Sequence, residues 1–281
     1  IGKALTKGLG AGSEPKIGEG AAEEARVDLL EACHEADIVF LTGGLGGGTG
    51  TGSLPIIANY AKERGALTIA IVTLPFSNEG ARRANNARLG LEKLRKSADT
   101  VIVIPNDKLL QDDIAKLPLN LAFRHADEIL ANAIKCMTEI TSHSGLVNID
   151  FADMRSIMYE GGVAMIGMGE GQGPDRATDA VTAALTSPLL ELDISQSKGA
   201  LINVTGGDDM TLEEAHQVVK EVHSKINKEA RIIWGASIDS ALEHQVRVML
   251  VVTGVKSSQI LGPLSGVDDE LQGRYGIEFV Q

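Results

Sequence analysis

Seven of the ten residues from Gly43 to Gly52 are glycine (Gly43-Gly44-Leu45-Gly46-Gly47-Gly48-Thr49-Gly50-Thr51-Gly52). Without Cβ atoms, and with positive φ open to them, neighbouring backbone N–H groups can converge on one anion. The segment follows an apolar run, Asp37-Ile38-Val39-Phe40-Leu41-Thr42, and precedes 54–64, where Leu54, Ile57, Ala58 and Ala61 share one helical face. A strand therefore feeds a glycine loop that opens a helix, and the helix dipole adds positive potential at the same point. This predicts a phosphate cradle, with Thr49, Thr51 and Ser53 as further hydroxyl donors. It is not a P-loop, which ends in Gly-Lys-Ser/Thr, and no register of it reads G-x-G-x-x-G. A flexible linker would be polar and would not join a buried strand to an amphipathic helix.

Other residues have the types that phosphate chemistry needs. Asn148, Asp150 and Asp153 place two carboxylates and an amide on a loop without adjacent lysines, where they can orient or polarise an attacking water. Phosphoryl transfer asks mostly for positioning and charge stabilisation, so such groups can suffice. Asp150 also suits the N-cap of a helix starting at Phe151, and the two roles are compatible. Glu79 can accept from sugar hydroxyls and Arg83, one turn on, can pair with a phosphate. Arg82 and Arg88 lie nearby, so the residues alone favour a solvated helix start. Phe123 and Asp127 stand at i, i+4, a ring beside an acceptor; alone they read as a core residue and a surface residue. His216 and His223 share a helical face without a third ligand, which leaves no metal set. Cys33 and Cys136 are far apart in apolar patterns and read as buried free thiols of a reducing compartment.

The elements that must position these groups alternate. Ile38–Leu41, Leu67–Val72 and Val101–Ile104 read as strands buried on both faces, with helices at Glu19–Ala36, Leu54–Arg64 and Glu79–Ser97 between them. That rhythm predicts a doubly wound parallel sheet whose ligands sit at the carboxyl ends of its strands. The glycine loop, Thr73-Leu74-Pro75-Phe76 and Asn106-Asp107 all fall at such ends. A long helix over Asn120–Thr141 carries Leu121, Ile129, Ala133, Ile134, Met137 and Ile140 on one stripe. A second, smaller α/β domain follows, with strands at Ala200–Thr205, Arg231–Gly235 and Gln245–Thr253 and a capping box at Thr211-Leu212-Glu213-Glu214. The divisions expected are 1–119 for the nucleotide-binding domain, 120–143 for the central helix, 144–160 for the catalytic loop and its helix, 161–255 for the second domain, and 256–281 for a linker and terminal peptide.

The 281 residues are 43% hydrophobic with 3% aromatics and a net charge of −12. Acidity of that size argues against nucleic acid as a partner, because phosphate backbones select basic surfaces. No run is long or apolar enough to suggest a membrane span or a signal, which predicts a cytoplasmic protein that does not insert into membrane.

The wording of the motifs goes further. Gly8-Leu9-Gly10-Ala11-Gly12, the Gly43–Gly52 loop, Thr73-Leu74-Pro75-Phe76, Ile104-Pro105-Asn106-Asp107 and Asn148-Ile149-Asp150-Phe151-Ala152-Asp153 stand in the order of the FtsZ family. From residue 1 to about Gly254 the chain resembles that family of the tubulin/FtsZ superfamily, its archaeal members most. The resemblance implies a tubulin/FtsZ-like α/β fold and a GTPase of the cell-division ring at mid-cell. It implies phosphate contacts from Gly10, Ala11, Gly12, Gly44, Leu45, Gly46, Gly47, Gly48, Thr49 and Gly50, with Pro75 beside them. Glu79 and Arg83 would serve ribose and phosphate, and Asn106, Phe123 and Asp127 the base. A carboxylate such as Asp127 accepts from guanine N1–H and its 2-amino group, a pair that adenine lacks, so the nucleotide is GTP or GDP. Mg²⁺ would be held mainly by the phosphates.

In the family the loop with Asn148, Asp150 and Asp153 enters the nucleotide pocket of the next subunit, so a head-to-tail contact that does not close yields an open filament. The terminal Gly276-Ile277-Glu278-Phe279-Val280 resembles archaeal tails that bind a membrane-tethering division partner; a strand packed on the second domain is the other reading. FtsZ proteins also carry a first strand, a glycine-rich phosphate loop and a first helix ahead of their Gly-Leu-Gly-Ala-Gly loop, whereas residue 1 here already stands at the strand entering it. On that pattern residues 1–281 alone are expected to bind GTP weakly or not at all. Two other readings remain: a non-hydrolysing filament or scaffold relative, and an NAD-dependent Rossmann oxidoreductase, which the missing G-x-G-x-x-G disfavours.

Overall fold

The computed structural model describes residues 1–109, 119–142, 146–190, 194 and 197–255. Its frame is one seven-stranded sheet in the order β1-β2-β3-β4-β7-β5-β6. The strands are β1 (Ile38–Gly44), β2 (Leu67–Leu74), β3 (Thr100–Pro105), β4 (Gly162–Gln172), β5 (Gly199–Gly206), β6 (Arg231–Ile238) and β7 (Gln245–Thr253). The first four run parallel, β7 is antiparallel to both β4 and β5, and β5 pairs in parallel with β6. The expected sheet is therefore present, mixed rather than wholly parallel, and continuous from the first half of the chain into the second.

Helices cover both faces. They are α1 (Pro15–Glu24), α2 (Arg26–Ala32), α3 (Thr49–Glu63), α4 (Ala81–Ser97), α5 (Asn106–Leu109), α6 (Leu119–Ser142), α7 (Phe151–Met158), α8 (Arg176–Leu185) and α9 (Leu212–Lys225). Period-2 alternation along β2 sorts the two cores. Ala70 and Val72 face Leu54 and Ala58 of α3 and Leu91 and Leu94 of α4, while Ile69 and Ile71 face Ala133 and Met137 of α6 and Met154 and Met158 of α7. The apolar faces of α8 and α9 join the first core, so α6 and α7 lie across the sheet from α3.

Several expectations change. β1 is an edge strand; Leu41 is buried, but Ile38, Val39 and Phe40 are half-buried, so it is not covered on both faces. The helix expected over Glu19–Ala36 breaks at Ala25 into α1 and α2. Leu121 is 39% exposed, so the α6 stripe begins to bury at Ile129. Glu79 closes a short 3₁₀ turn ahead of α4 rather than opening that helix. The capping box stands, with Thr211 Oγ1 accepting the Glu214 N–H at 3.2 Å and Glu214 accepting the Thr211 N–H at 2.7 Å.

The strand that sequence reasoning missed is β4. Its Gly167, Gly169 and Gly171 alternate and look like loop composition. They face α8: a Cβ on each would stand 2.3, 2.2 and 2.0 Å from the carbonyl oxygens of Ala184, Ala180 and Arg176. Glycine at every second position lets a helix backbone rest directly on a strand, an approach that any side chain would forbid.

Candidate functional site

Within the Gly43–Gly52 segment the turn is short. Gly43 and Gly44 end β1, and Thr49 already starts α3, leaving Leu45–Gly48 as the true turn. The Leu45 N–H donates to the Thr73 carbonyl at 2.9 Å and the Gly46 N–H to Thr51 Oγ1 at 2.9 Å. Ser53 Oγ donates to the Thr49 carbonyl at 2.7 Å. The hydroxyls of Thr51 and Ser53 therefore brace the turn from within, and both residues are buried, which corrects their reading as phosphate donors. Thr49 is exposed at the turn. The N–H groups of Gly48, Thr49 and Gly50 open α3 and have no intrahelical acceptor, so they are aimed at whatever sits beyond the helix end.

Other elements close around this turn. Gly10 and Gly12 adopt φ of +79° and +54°, and the segment they bound lies against Gly48. A Cβ on Gly48 would stand 2.7 Å from the Ala11 Cβ and 2.7 Å from the Glu14 nitrogen. The first residues are fixed in turn by Glu24, whose carboxylate accepts the Ala4 and Leu5 N–H groups at 2.9 Å each and is held below its usual range by them. Gly46 (φ +108°) passes so close to Pro75 that a Cβ would lie 3.2 Å from its Cγ. Gly10, Ala11, Gly12, Gly44–Gly50 and Pro75 thus form one cluster at the ends of β1 and β2.

Glu79 and Arg83 lie beside the cluster and pair with each other across one turn. Glu79 Oε1 also accepts the Phe76 N–H at 2.8 Å, fixing the bend after Pro75. A carboxylate has about four acceptor sites, so Glu79 keeps capacity for further donors. At the end of β3, Asp107 Oδ1 accepts the Ser77 N–H at 2.9 Å and ties the third strand end to the second. Its neighbour Asn106 has a buried Oδ1 with no hydrogen-bond partner among the described residues. An orphaned buried acceptor is costly unless a ligand supplies the donor. Asp127 is exposed on α6; the side chain of Phe123 lies outside those described. Residues 256–281, with Gly276–Val280, also lie outside the described residues.

One residue with clear structural work here was not singled out from sequence. Asn86 on α4 donates to the Ser13 carbonyl at 3.1 Å and to the Gly46 carbonyl at 3.3 Å, joining the two glycine segments. The available signal for Asn86 was a polar residue on the inward face of an otherwise amphipathic helix.

Asn148, Asp150 and Asp153 are all exposed and sit elsewhere. Val147 bridges to Ala236 in β6, and Asp150 caps α7, its Oδ1 accepting the Asp153 N–H at 2.6 Å. The far end of α7 is fastened to the opening residue of β3, where Thr100 Oγ1 donates to the Met158 carbonyl. The glycine cluster follows the closing residues of the parallel strands, and α7 lies on the other face of the sheet from α3. Val147, beside Asn148, pairs with β6, the edge of the sheet opposite β1, so within one chain the two groups lie toward opposite edges.

Among the described residues no group of three His, Cys, Asp or Glu side chains forms a metal site, and no helix is long and apolar enough to cross a membrane. Both cysteines are buried and free, and burial pushes both thiols up.

The Tubulin/FtsZ family GTPase domain matches residues 1–113, and the FtsZ family C-terminal domain matches residues 162–256. Cell division protein FtsZ 1 of Archaeoglobus fulgidus is 55% identical over 281 residues, 100% of this chain and 75% of that protein. The same-named protein of Thermococcus kodakarensis is 53% identical over 99% of this chain and 73% of its own length. An FtsZ dimer of M. jannaschii superposes with a TM-score of 0.88 at 54% identity, covering 91% of this chain and 74% of that one. GDP-bound CetZ1 of Haloferax volcanii, at 22% identity, shares the fold with a TM-score of 0.79 over 97% of this chain and 82% of its own.

Proposed function

The chain belongs to the FtsZ family, and from that membership we propose how its residues perform the work. It is a GTP-binding, GTP-hydrolysing cell-division protein that associates with copies of itself into filaments. The N–H groups of Gly47, Gly48, Thr49 and Gly50 receive the phosphates, with Gly10–Gly12 closing one side and Gly44–Gly46 and Pro75 the other. Arg83 leaves Glu79 for a phosphate, and Glu79 turns to the ribose. The orphaned Oδ1 of Asn106 accepts from the nucleotide, while Phe123 and Asp127 take the guanine. Mg²⁺, which neutralises phosphate charge, is held mainly by the phosphate oxygens.

Hydrolysis needs a water placed in line with the terminal phosphate. Asp150 and Asp153, fixed to each other through the α7 cap, are suited to hold it, with Asn148 beside them. The observation that carries this reading is their location: on the face of the sheet away from α3, beside Val147, which pairs with β6 at the edge opposite β1. Each active site is therefore shared, one subunit supplying the cradle and its neighbour the carboxylates. That contact does not close on itself and grows into a filament. The protein works in the cytoplasm at the mid-cell division ring, and Gly276–Val280 binds a membrane-tethering partner.

Light scattering and phosphate release, followed with GTP and with ATP, test this on wild type and Asp153→Ala. GTP-dependent assembly, with a variant that assembles yet hydrolyses slowly, is the outcome expected. Assembly without turnover in wild type would favour a scaffold relative.

A further inference from the structure

A buried polar knot ties the foot of β2 to the foot of β3. Asp99 is 3% exposed; its Oδ2 accepts the Thr68 N–H at 2.9 Å and its own N–H returns to the Thr68 carbonyl at 3.0 Å. Its other oxygen, Oδ1, lies 3.0 Å from Nζ of Lys62 in the last turn of α3, in an orientation that gives an ion contact without a hydrogen bond. The Asp99 carbonyl accepts the N–H of Gly162, the first residue of β4, at 3.1 Å. The next residue, Thr100, is the one that holds the last carbonyl of α7. Two consecutive residues therefore join the end of α3, the start of β2, the exit of α7 and the start of β4.

The helices that meet here begin at the two half-sites. α3 starts in the phosphate cradle at Thr49 and, at 15 residues, is a rod about 22 Å long. α7 starts at the Asp150 cap beside Asp153 and ends at Met158. On the strand side Asp99 is held by backbone bonds that fix it. On the α3 side it is held by the Lys62 charge at 3.0 Å, so a slide of the helix end pulls on the buried carboxylate.

We propose that Asp99, gripped by Lys62, is a positioning residue that links the two ends of each subunit. Nucleotide state in the cradle shifts α3, and the knot passes that shift to α7 and the carboxylates offered to the neighbouring subunit. This rests on the function proposed above.

The test is hydrogen exchange on the full-length protein with GTP and with GDP, reading the stretch 155–165, together with nucleotide affinity and steady-state turnover. Wild type and Lys62→Arg, which keeps the charge, should exchange differently in the two nucleotides. Lys62→Met and Asp99→Asn should lose that difference and turn over about 2- to 30-fold more slowly, the span that such coupling energies produce, with GTP affinity and KM within about twofold of wild type. Should Asp99→Asn fail to fold, Lys62→Met decides, because its apolar stem preserves the packing. A nucleotide-dependent difference that survives in both variants overturns the link, as does its absence in GTP-bound wild type. A wild type that binds no GTP would instead bring down the functional reading itself.

Discussion

The Asn86 side-chain amide donates to the Gly46 carbonyl at 3.3 Å. Because the same amide reaches Ser13 at 3.1 Å, one side chain of α4 sets the distance between the glycine turn and the segment ahead of α1. Asn86→Ala should weaken GTP binding about 3- to 10-fold, the worth of one or two net hydrogen bonds, with little change in melting temperature. Titration with a fluorescent GTP analogue checks this, and unchanged affinity would mean that the turn braces itself through Thr51 alone.

Gly48 separates sterics from conformation. Its φ of −89° and ψ of −49° suit alanine, so any harm from Gly48→Ala comes from the Cβ pressing on Ala11 and Glu14. Overpacking of this kind costs about 1–3 kcal/mol. Ala11→Gly should recover part of the loss, and a double-mutant cycle in urea would show the non-additivity of neighbours in contact.

Far from the nucleotide, the Arg176 guanidinium bonds Glu214 at 2.6 Å and Asp209 at 2.7 Å. Arg176 holds both carboxyls below their usual range, with His244 adding to the effect on Asp209, which falls from 3.8 to about 2. A depressed carboxylate lends stability above its unfolded pKa and loses it as pH falls toward the folded value. Melting temperature should therefore drop as pH goes from about 3.8 to about 2. Arg176→Met should flatten that slope and lower the melting temperature at neutral pH, because it leaves Glu214 and Asp209 without their shared cation.

Much of this architecture was legible because it rests on local periodicity. β2, β3 and the helix between them announce themselves as apolar runs and an amphipathic stripe, and the capping box at Thr211 states its own geometry. What escaped depends on contacts between distant segments. β4 was hidden because its glycines answer to α8, which only the folded chain places against them. The same holds for β1, whose apolar residues look fully buried until the sheet order leaves it at an edge.

The site divides in the same way. The glycine turn was readable as an anion cradle from composition, yet Thr51 and Ser53 prove to be its internal braces, since a hydroxyl near a turn can serve the ligand or the backbone. Asn106 stood out by motif, and the structure adds that its Oδ1 is buried and has no partner among the described residues. Asn86 and Lys62–Asp99 could not be found by spacing at all, because their partners lie on other elements.

Mixing two defective variants of the full-length protein tests the shared active site most directly. Asp153→Ala keeps the cradle and loses a carboxylate, while Gly48→Ala impairs the cradle and keeps both carboxylates. If each site is built from two subunits, the mixture should release phosphate faster than the sum of the separate proteins, because some interfaces pair an intact cradle with an intact Asp150–Asp153 loop. Turnover no higher than that sum, in filaments shown to contain both variants, would contradict a site completed by the neighbouring subunit.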